Sequence, residues 1–272
     1  MIGDIVRWLY SHLTPSQIKA LGRSSWLAPL RNWLLRGKPR LGMMEVRVSW
    51  GGLDFFYHGD VKSSLKAKRK GIEGSLLRLS MKLLHDVKSR SDNAVILDVG
   101  ASYGFLSSVW ALSSSKRGQV FAFEASPDVF TVAKTTARKN GLENLTYINQ
   151  AVYNFDGRVL IQPFDGTRAL ITDDHAGAEV ECITIDSFCE QRDIHNIDLI
   201  KIDVDGPEYE VLQGAQKVMA SCRPIFILES NNDKRLLSFF DPARYMLFDL
   251  AFQPLADNVV PSTIVAVPKE VS

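Results

Sequence analysis

Cysteine is scarce in this chain: Cys182, Cys189 and Cys222 are the only three among 272 residues. No two of them form a C-x-x-C pair, so neither a disulfide framework nor a self-sufficient zinc site is expected, and a reducing, cytoplasmic setting is. Long uncharged apolar runs are missing as well, since none approaches the roughly 18 residues needed to cross a bilayer. The opening "MIGDIVRWLYSHL" places Asp4 and Arg7 inside its apolar stretch and has no small-residue cleavage pattern, which argues against a secretory signal. A charge excess of either sign is also lacking: 32 Lys and Arg face 31 Asp and Glu, for a net charge of +1. Such a balance gives no global field to attract nucleic acid, and no RNA-recognition module is visible. Internal repeats and low-complexity segments are absent too.

What is present is an ordinary globular composition, 46% hydrophobic, sufficient for one large core with a small appendage. We read residues 1–70 as an amino-terminal extension and 71–272 as the main domain. Residues 1–40 pattern as short helices, with Thr14-Pro15 as a cap and first turn. They carry seven basic residues against the single acid Asp4, and three of the five tryptophans. Next, "MEVRVSWGGLDFFYHG" alternates apolar and polar residues around Gly51-Gly52, the pattern of a tight β-hairpin. "VKSSLKAKRK" reads as a basic link. The helix after it is expected to bury Ile72, Leu76, Leu79, Leu83 and Val87 on one face.

From Ala94 onward strands and helices alternate, which predicts an α/β fold with a mostly parallel sheet covered on both faces. Strands are expected at 95–99, 119–124, 145–149, 198–203 and 224–229, with a helix from Pro127 capped by Ser126 and closed near Gly141. "GRVLIQPF" and "AEVECITIDSF", joined by a polar loop, read as an insertion or an extension of the sheet. Residues 245–250 and 263–267 read as an antiparallel pair at its edge.

The stretch "VILDVGASYGF" runs from a buried strand through a glycine turn into a helix. In an open parallel sheet the ligand crevice lies at the carboxyl ends of the strands, where the chain order reverses. Gly100 is expected to let a ligand approach the backbone, and Gly104 to let the next helix start close by. A dinucleotide fingerprint needs G-x-G-x-x-G; the spacing here is G-x-x-x-G, so the phosphate cradle is incomplete. Asp98 beside it repels a phosphate and favours an ammonium or a sulfonium. Glu124 ends the second strand about where a Rossmann-type acid grips a ribose diol. A ribose and a positively charged centre together point to S-adenosylmethionine as cofactor. Ordinary turn and cap chemistry is the competing reading of each motif taken alone.

A third stretch, "IDLIKIDVDGPEYEVLQGAQ", joins the first two and "FAFEASPDVF", "LTYINQAVYNFDG", "TIDSF" and "STIVAVP". Together, over about Ile72 to Pro268, these resemble the FkbM-type S-adenosylmethionine-dependent methyltransferases. Two positions depart from that family's usual pattern: Ser102 stands where Asn is common, and Asp205, with a shorter reach, where Glu is. The resemblance implies a class I, Rossmann-like methyltransferase fold and O-methylation of a hydroxyl on a sugar, glycolipid or related small molecule. It also implies a cofactor-binding set of Glu73, Asp98, Gly100, Ala101, Ser102, Tyr103, Gly104, Phe105, Glu124, Ala125, Ser126, Gln150 and Ala151, and a chemistry-bearing set of Asp203, Lys201 and Glu208.

Methyl transfer needs the acceptor oxygen in line with the methyl carbon and sulfur, with a base nearby. Asp203 is the first choice for contact with the hydroxyl. Lys201, two residues earlier on the same strand face, is expected to hold Asp203 ionised or to orient substrate. Glu208 ranks second, because an acid at a helix start is favoured by the dipole alone. Glu229 with Asp203 offers oxygens suited to magnesium, but capping of the next helix by Ser230 and Asn231 explains the same residues, and no metal is expected. Among the histidines only His175, in the inserted loop, is a candidate base.

The expected partner is a small-molecule or glycan acceptor. The basic, Trp-rich amino terminus, together with Lys62, Lys66, Lys68, Arg69 and Lys70 of the basic link, can dock an anionic membrane surface, a lipid-linked sugar or RNA phosphate, so peripheral membrane contact is a further expectation, with packed tryptophans and solvated basic faces as its bland counterpart. Methylation of RNA or protein, and a module that binds the cofactor without turnover, remain as alternatives.

Overall fold

The computed structural model describes residues 42–86, 93–115, 117–163, 169–171, 177–256 and 259–269. The expected amino-terminal helices, the contact proposed for them, and His175 lie outside these residues.

The chain enters as a hairpin, β1 (Met43–Trp50) and β2 (Leu53–Asp60), in full antiparallel register from Met43↔Asp60 to Trp50↔Leu53. Its turn is Gly51-Gly52, both at positive φ (+59° and +83°), the conformation that a two-residue primed turn demands. "VKSSLKAKRK" is not a link but a helix, α1 (Val61–Lys70). Asp60 caps it by accepting from Ser63 N at 2.9 Å, and Val61, Ser64, Leu65 and Ala67 are buried. The charges concealed this helix, because Val61, Leu65 and Ala67 are its only buried apolar side chains among five basic ones.

The next helix, α2 (Gly74–Asp86), buries Leu76, Leu77, Ser80, Leu83 and Leu84. Of the expected face, Leu76 and Leu83 are buried, Leu79 and Ile72, which precedes the helix, pack partly buried on the same core, and Val87 lies outside the described residues; Leu77, Ser80 and Leu84 rotate the buried face further round. Ser80 explains the rotation: its hydroxyl accepts from Trp110 Nε1 at 2.9 Å and donates to Leu77 O, so a polar residue sits satisfied inside the seam.

The main unit alternates as expected: β3 (Val95–Val99), α3 (Phe105–Ser113), β4 (Gln119–Phe123), α4 (Pro127–Lys139) and β5 (Leu145–Ile148). Ser126 is the cap of α4. A small sheet follows, built from β6 (Ala151–Val152), β7 (Gly157–Pro163), β8 (Ala169–Ile171) and β9 (Ala178–Ile183), in the order β6-β9-β7-β8. It is a separate insertion, not an extension of the main sheet, and β8 falls in the segment read as a polar loop. "IDSF" is not strand either. Thr184 caps α5 (Ile185–Gln191), accepting from Ser187 N at 3.0 Å.

The remaining elements are β10 (Leu199–Ile202), α6 (Glu208–Gln213), α7 (Gln216–Ser221), β11 (Ile225–Glu229), α8 (Arg235–Phe239), β12 (Tyr245–Phe248) and β13 (Thr263–Pro268). The seven-stranded sheet has the order β12-β13-β11-β10-β3-β4-β5. Neighbours from β11 through β5 are parallel, while β13 is antiparallel to both β11 and β12.

Each sheet face has its own core. Leu97, Val99, Ile200, Ile202, Phe226 and Leu228 pack into one, opposite α5, α6 and α7. Ile96, Leu199, Ile225 and Ile227 pack into the other, together with hairpin residues such as Val46 and Phe55 and with α1, α2 and α3. Strands buried on both faces should read as continuous apolar runs. By the two-residue period, Asp98, Lys201 and Glu229 break that run on one face only, the face roofed by the hairpin and α1. Three polar side chains there, on three adjacent strands, mark the site.

Candidate active site

The sheet order reverses around β3, between β4 and β10, and a cavity of about 450 Å³ opens at the carboxyl ends of these strands. All the residues of the expected cofactor-binding and chemistry-bearing sets line it except Ser126 and Glu208.

The turn after β3 is fixed by backbone contacts. Gly100 N and Ala101 N both donate to Phe123 O, at 3.1 and 2.9 Å. Gly100 has φ +80°, and a Cβ there would stand 1.8 Å from Asp203 O. The space on the Cβ side of Gly100 is taken by the turn after β10, while Gly100 itself lines the cavity: this glycine lets the turns after β3 and β10 touch. Gly104, at φ +76°, opens α3 from the left-handed region, and a Cβ on it would lie 1.6 Å from the Tyr147 hydroxyl. Ser102 also has positive φ, +51°. That strain aims its N–H at Glu124 Oε2, 2.9 Å away, while Ser126 N donates to Oε1 at 2.8 Å. Ser126 therefore serves the site only through its amide. Burial pushes the Glu124 carboxyl up to about 7, against the downward pull of those two amides.

Asp98 is fully buried. Ser107 donates its hydroxyl to Asp98 Oδ2, whereas Oδ1 receives no well-directed hydrogen bond and stands 3.4 Å from Lys201 Nζ. The pairing is set by the sheet, because Asp98 and Lys201 are direct neighbours in the β3–β10 register. Lys201 Nζ also donates to Gly100 O at 2.8 Å and lies 3.4 Å from Asp203 Oδ2. Burial alone would lower the Lys201 pKa; attraction by Asp203, Asp98 and Glu73 overrides it and raises the pKa above the ordinary lysine value. Lys201 is thus a fixed cation shared by two carboxylates.

Asp203, half-buried, sits beside Glu229 at the end of β11. Glu229 is pushed up to about 8, first by its hydrogen bond with Asp203 and then by burial, so near neutrality the two carboxyls share a proton. Glu73 keeps solvent contact at the mouth, yet the atoms around it raise its carboxyl, and Lys201 partly offsets this. Carboxylate oxygens of Asp203, Asp205 and Glu229 lie within 4.8 Å of one another. Such a set suits a divalent cation, but the Lys201 ammonium and the shared proton already balance part of its charge.

Glu208 is turned to a different task. It is fully buried and accepts from Val204 N, Gly206 N and Asn231 Nδ2 at 3.0 to 3.2 Å, so it shapes the loop after β10 and does not face the cavity. Asn231 is occupied by that contact, and Ser230 donates to Pro261 O. Neither caps α8, whose first flanking residue is Lys234, so the capping explanation for them does not hold.

Residues 98–254, over half the chain, match the sequence model described as the methyltransferase FkbM domain. The chain belongs to this FkbM methyltransferase family. A relative, 2-O-methyltransferase NoeI of Sinorhizobium fredii (strain NGR234), is 25% identical over 173 residues, covering 56% of this chain and 69% of the relative. Hexuronic acid methyltransferase AglP of Haloferax volcanii is 24% identical over 146 residues, 52% of this chain and 58% of the relative. Among solved structures, Methyltransferase FkbM from Methylobacillus flagellatus KT aligns with a TM-score of 0.43 and 17% identity, covering 76% of this chain and 55% of that one.

As an FkbM-family methyltransferase, the protein uses S-adenosylmethionine, and the cavity fits it. Asp98 Oδ1 is a buried acceptor awaiting a donor, suited to an ammonium. The oriented Glu124 carboxylate suits a ribose diol, and Gln150 with Ala151 and Val152 forms the wall past it. Reading from the sequence missed Tyr57 of the hairpin and Ser63 of α1, and took Lys62 and Lys66 for a basic docking segment without placing them here; all four close the cavity on its other side. The lysine spacing of four was the available signal, obscured once the segment was taken for a link.

Proposed function

We propose that this methyltransferase acts on a hydroxyl of a saccharide, with Asp203 as the group that takes the hydroxyl proton. The printed names of the relatives support the acceptor class: one is a 2-O-methyltransferase and the other a hexuronic acid methyltransferase. The observation that carries the residue assignment is the position of Asp203, on the walls of both the cofactor-sized cavity and a second cavity beside it.

When bound, S-adenosylmethionine would supply the electrophilic methyl group of its sulfonium to the acceptor oxygen, with the thioether as leaving group. Asp98 would hold its ammonium and Glu124 its ribose hydroxyls, with Gly100 and Gly104 in the cavity wall between them. The hydroxyl proton passes to Asp203. Lys201 keeps Asp203 anionic before transfer while Glu229 holds the pair's first proton, and the proton taken from the hydroxyl leaves half-buried Asp203 for solvent. General-base assistance of this kind is worth about 10²- to 10⁴-fold, and the rest comes from alignment and removal of water.

The test is mass spectrometry of a panel of glycans incubated with the full chain and S-adenosylmethionine, read as a gain of one methyl. Asp203→Asn should bind S-adenosylhomocysteine normally and transfer about a hundredfold more slowly. Normal turnover by that variant, or methylation of RNA but of no glycan, refutes the proposal.

A further inference from the structure

The proposed function leaves open what besides a hydroxyl the acceptor carries. A second cavity of about 540 Å³ adjoins the first and shares Lys66, Glu73, Lys201, Asp203 and Glu229 with it. Its outer wall is basic. Lys62, Lys66 and Lys70 recur every four residues along α1 and so lie on one helix face. Lys62 and Lys66 line the first cavity, Lys66 and Lys70 the second, and Arg78 of α2 joins them there. None of the four forms an ion pair with a described residue.

Like charges spaced by four on a helix repel. Here no described acid closes against them, although the same wall holds Glu73, Asp203 and Glu229. Asp203 is already matched by Lys201 and shares a proton with Glu229. Lys70 and Arg78 thus have no acid of the described residues in ion-pair contact, and Lys66 has only the attraction of Glu73, beside a cavity large enough for a sugar ring. Ser75, Ser262 and Thr263 add hydroxyls on the same wall, the polar groups that ring hydroxyls need. Arg78 can engage a planar oxyanion with two N–H groups, and the lysines act as point charges.

Building on the saccharide reading above, we propose that the acceptor is an anionic saccharide, its carboxylate or phosphate held by Lys66, Lys70 and Arg78 in the second cavity while the reacting hydroxyl lies at Asp203.

The full chain, saturated with S-adenosylhomocysteine, is titrated calorimetrically with three probes: methyl β-glucoside, methyl β-glucuronide and methyl β-glucoside 6-phosphate. At least one charged probe should bind about tenfold more tightly than the neutral one, more weakly as salt rises, and whichever charged probe leads identifies the anion. The double variant Lys70→Gln, Arg78→Gln should lose most of that preference while its S-adenosylhomocysteine affinity, read in the same titration, stays at the wild-type value. Equal binding of all three probes, no binding of either charged probe, or a preference that survives the double variant overturns the proposal. Methyl transfer to neutral glycans alone defeats it too but leaves the saccharide reading standing; binding of charged probes without transfer to any glycan hydroxyl defeats both.

Discussion

The two halves of the site are held in different ways. On the β3–β4 side, the turn at Gly100, the Ser102 amide and the Glu124 carboxylate are tied by backbone hydrogen bonds and by contacts too close to admit a Cβ. On the β10–β11 side, Lys201, Asp203 and Glu229 are held by one another through charge and a shared proton. The first arrangement is rigid because every partner is covalently part of the sheet. The second responds to whatever changes its charge, which is what a group that must accept a proton requires. The proposed function puts proton transfer on the adjustable half and cofactor binding on the fixed one.

The harshest way to break that contrast is Gly100→Ala. Its methyl group would enter the Asp203 carbonyl at a positive φ, forcing both halves apart, at a cost on the order of 5 kcal/mol. Calorimetry should show no S-adenosylhomocysteine binding and thermal unfolding a strongly lowered Tm; a Tm within a few degrees of wild type would mean the two turns do not depend on each other. Next in size is Lys201→Met, which leaves Asp98 buried without its cation, worth about 3 to 5 kcal/mol by analogy with broken buried pairs. Chemical denaturation measures it, and a loss below about 1 kcal/mol would deny Lys201 its central place.

Smallest is the effect of pH on the apo protein. Glu124 and Glu229 have folded-state pKa values raised above the unfolded value, to about 7 and about 8. Between about pH 4.5 and those values the unfolded chain releases protons that the folded chain keeps, so stability falls as pH rises through this window and levels off above it. A Tm decline on the order of 5 °C from pH 5 to pH 8 is expected, flattened in part by Glu124→Gln. A Tm that climbs with pH over that range would show the two acids to be ionised in the fold.

Much of this was visible before any coordinates. Asp98, Gly100, Glu124 and Asp203 stand at the ends of strands whose apolar runs are unmistakable, and the hairpin was announced by its paired glycines. What escaped was local structure imposed by tertiary contact. The helix at 61–70 has a thin apolar face and looks like a solvated charge run until the hairpin packs on it. The rotation of α2 follows from a buried serine that finds its partner only on Trp110, 30 residues away. Glu208 looks catalytic by position, yet its carboxylate is consumed by loop amides that no spacing rule reveals.

The order of strands and helices, and the residue types at the strand ends, were determined by the sequence, because hydrophobic period and turn chemistry are local properties. Which side chains meet was decided by the tertiary structure alone. Lys201 reaches Asp98 across about a hundred residues only because the parallel register sets them side by side, and the basic face of α1 becomes a cavity wall only because the sheet brings it over Asp203.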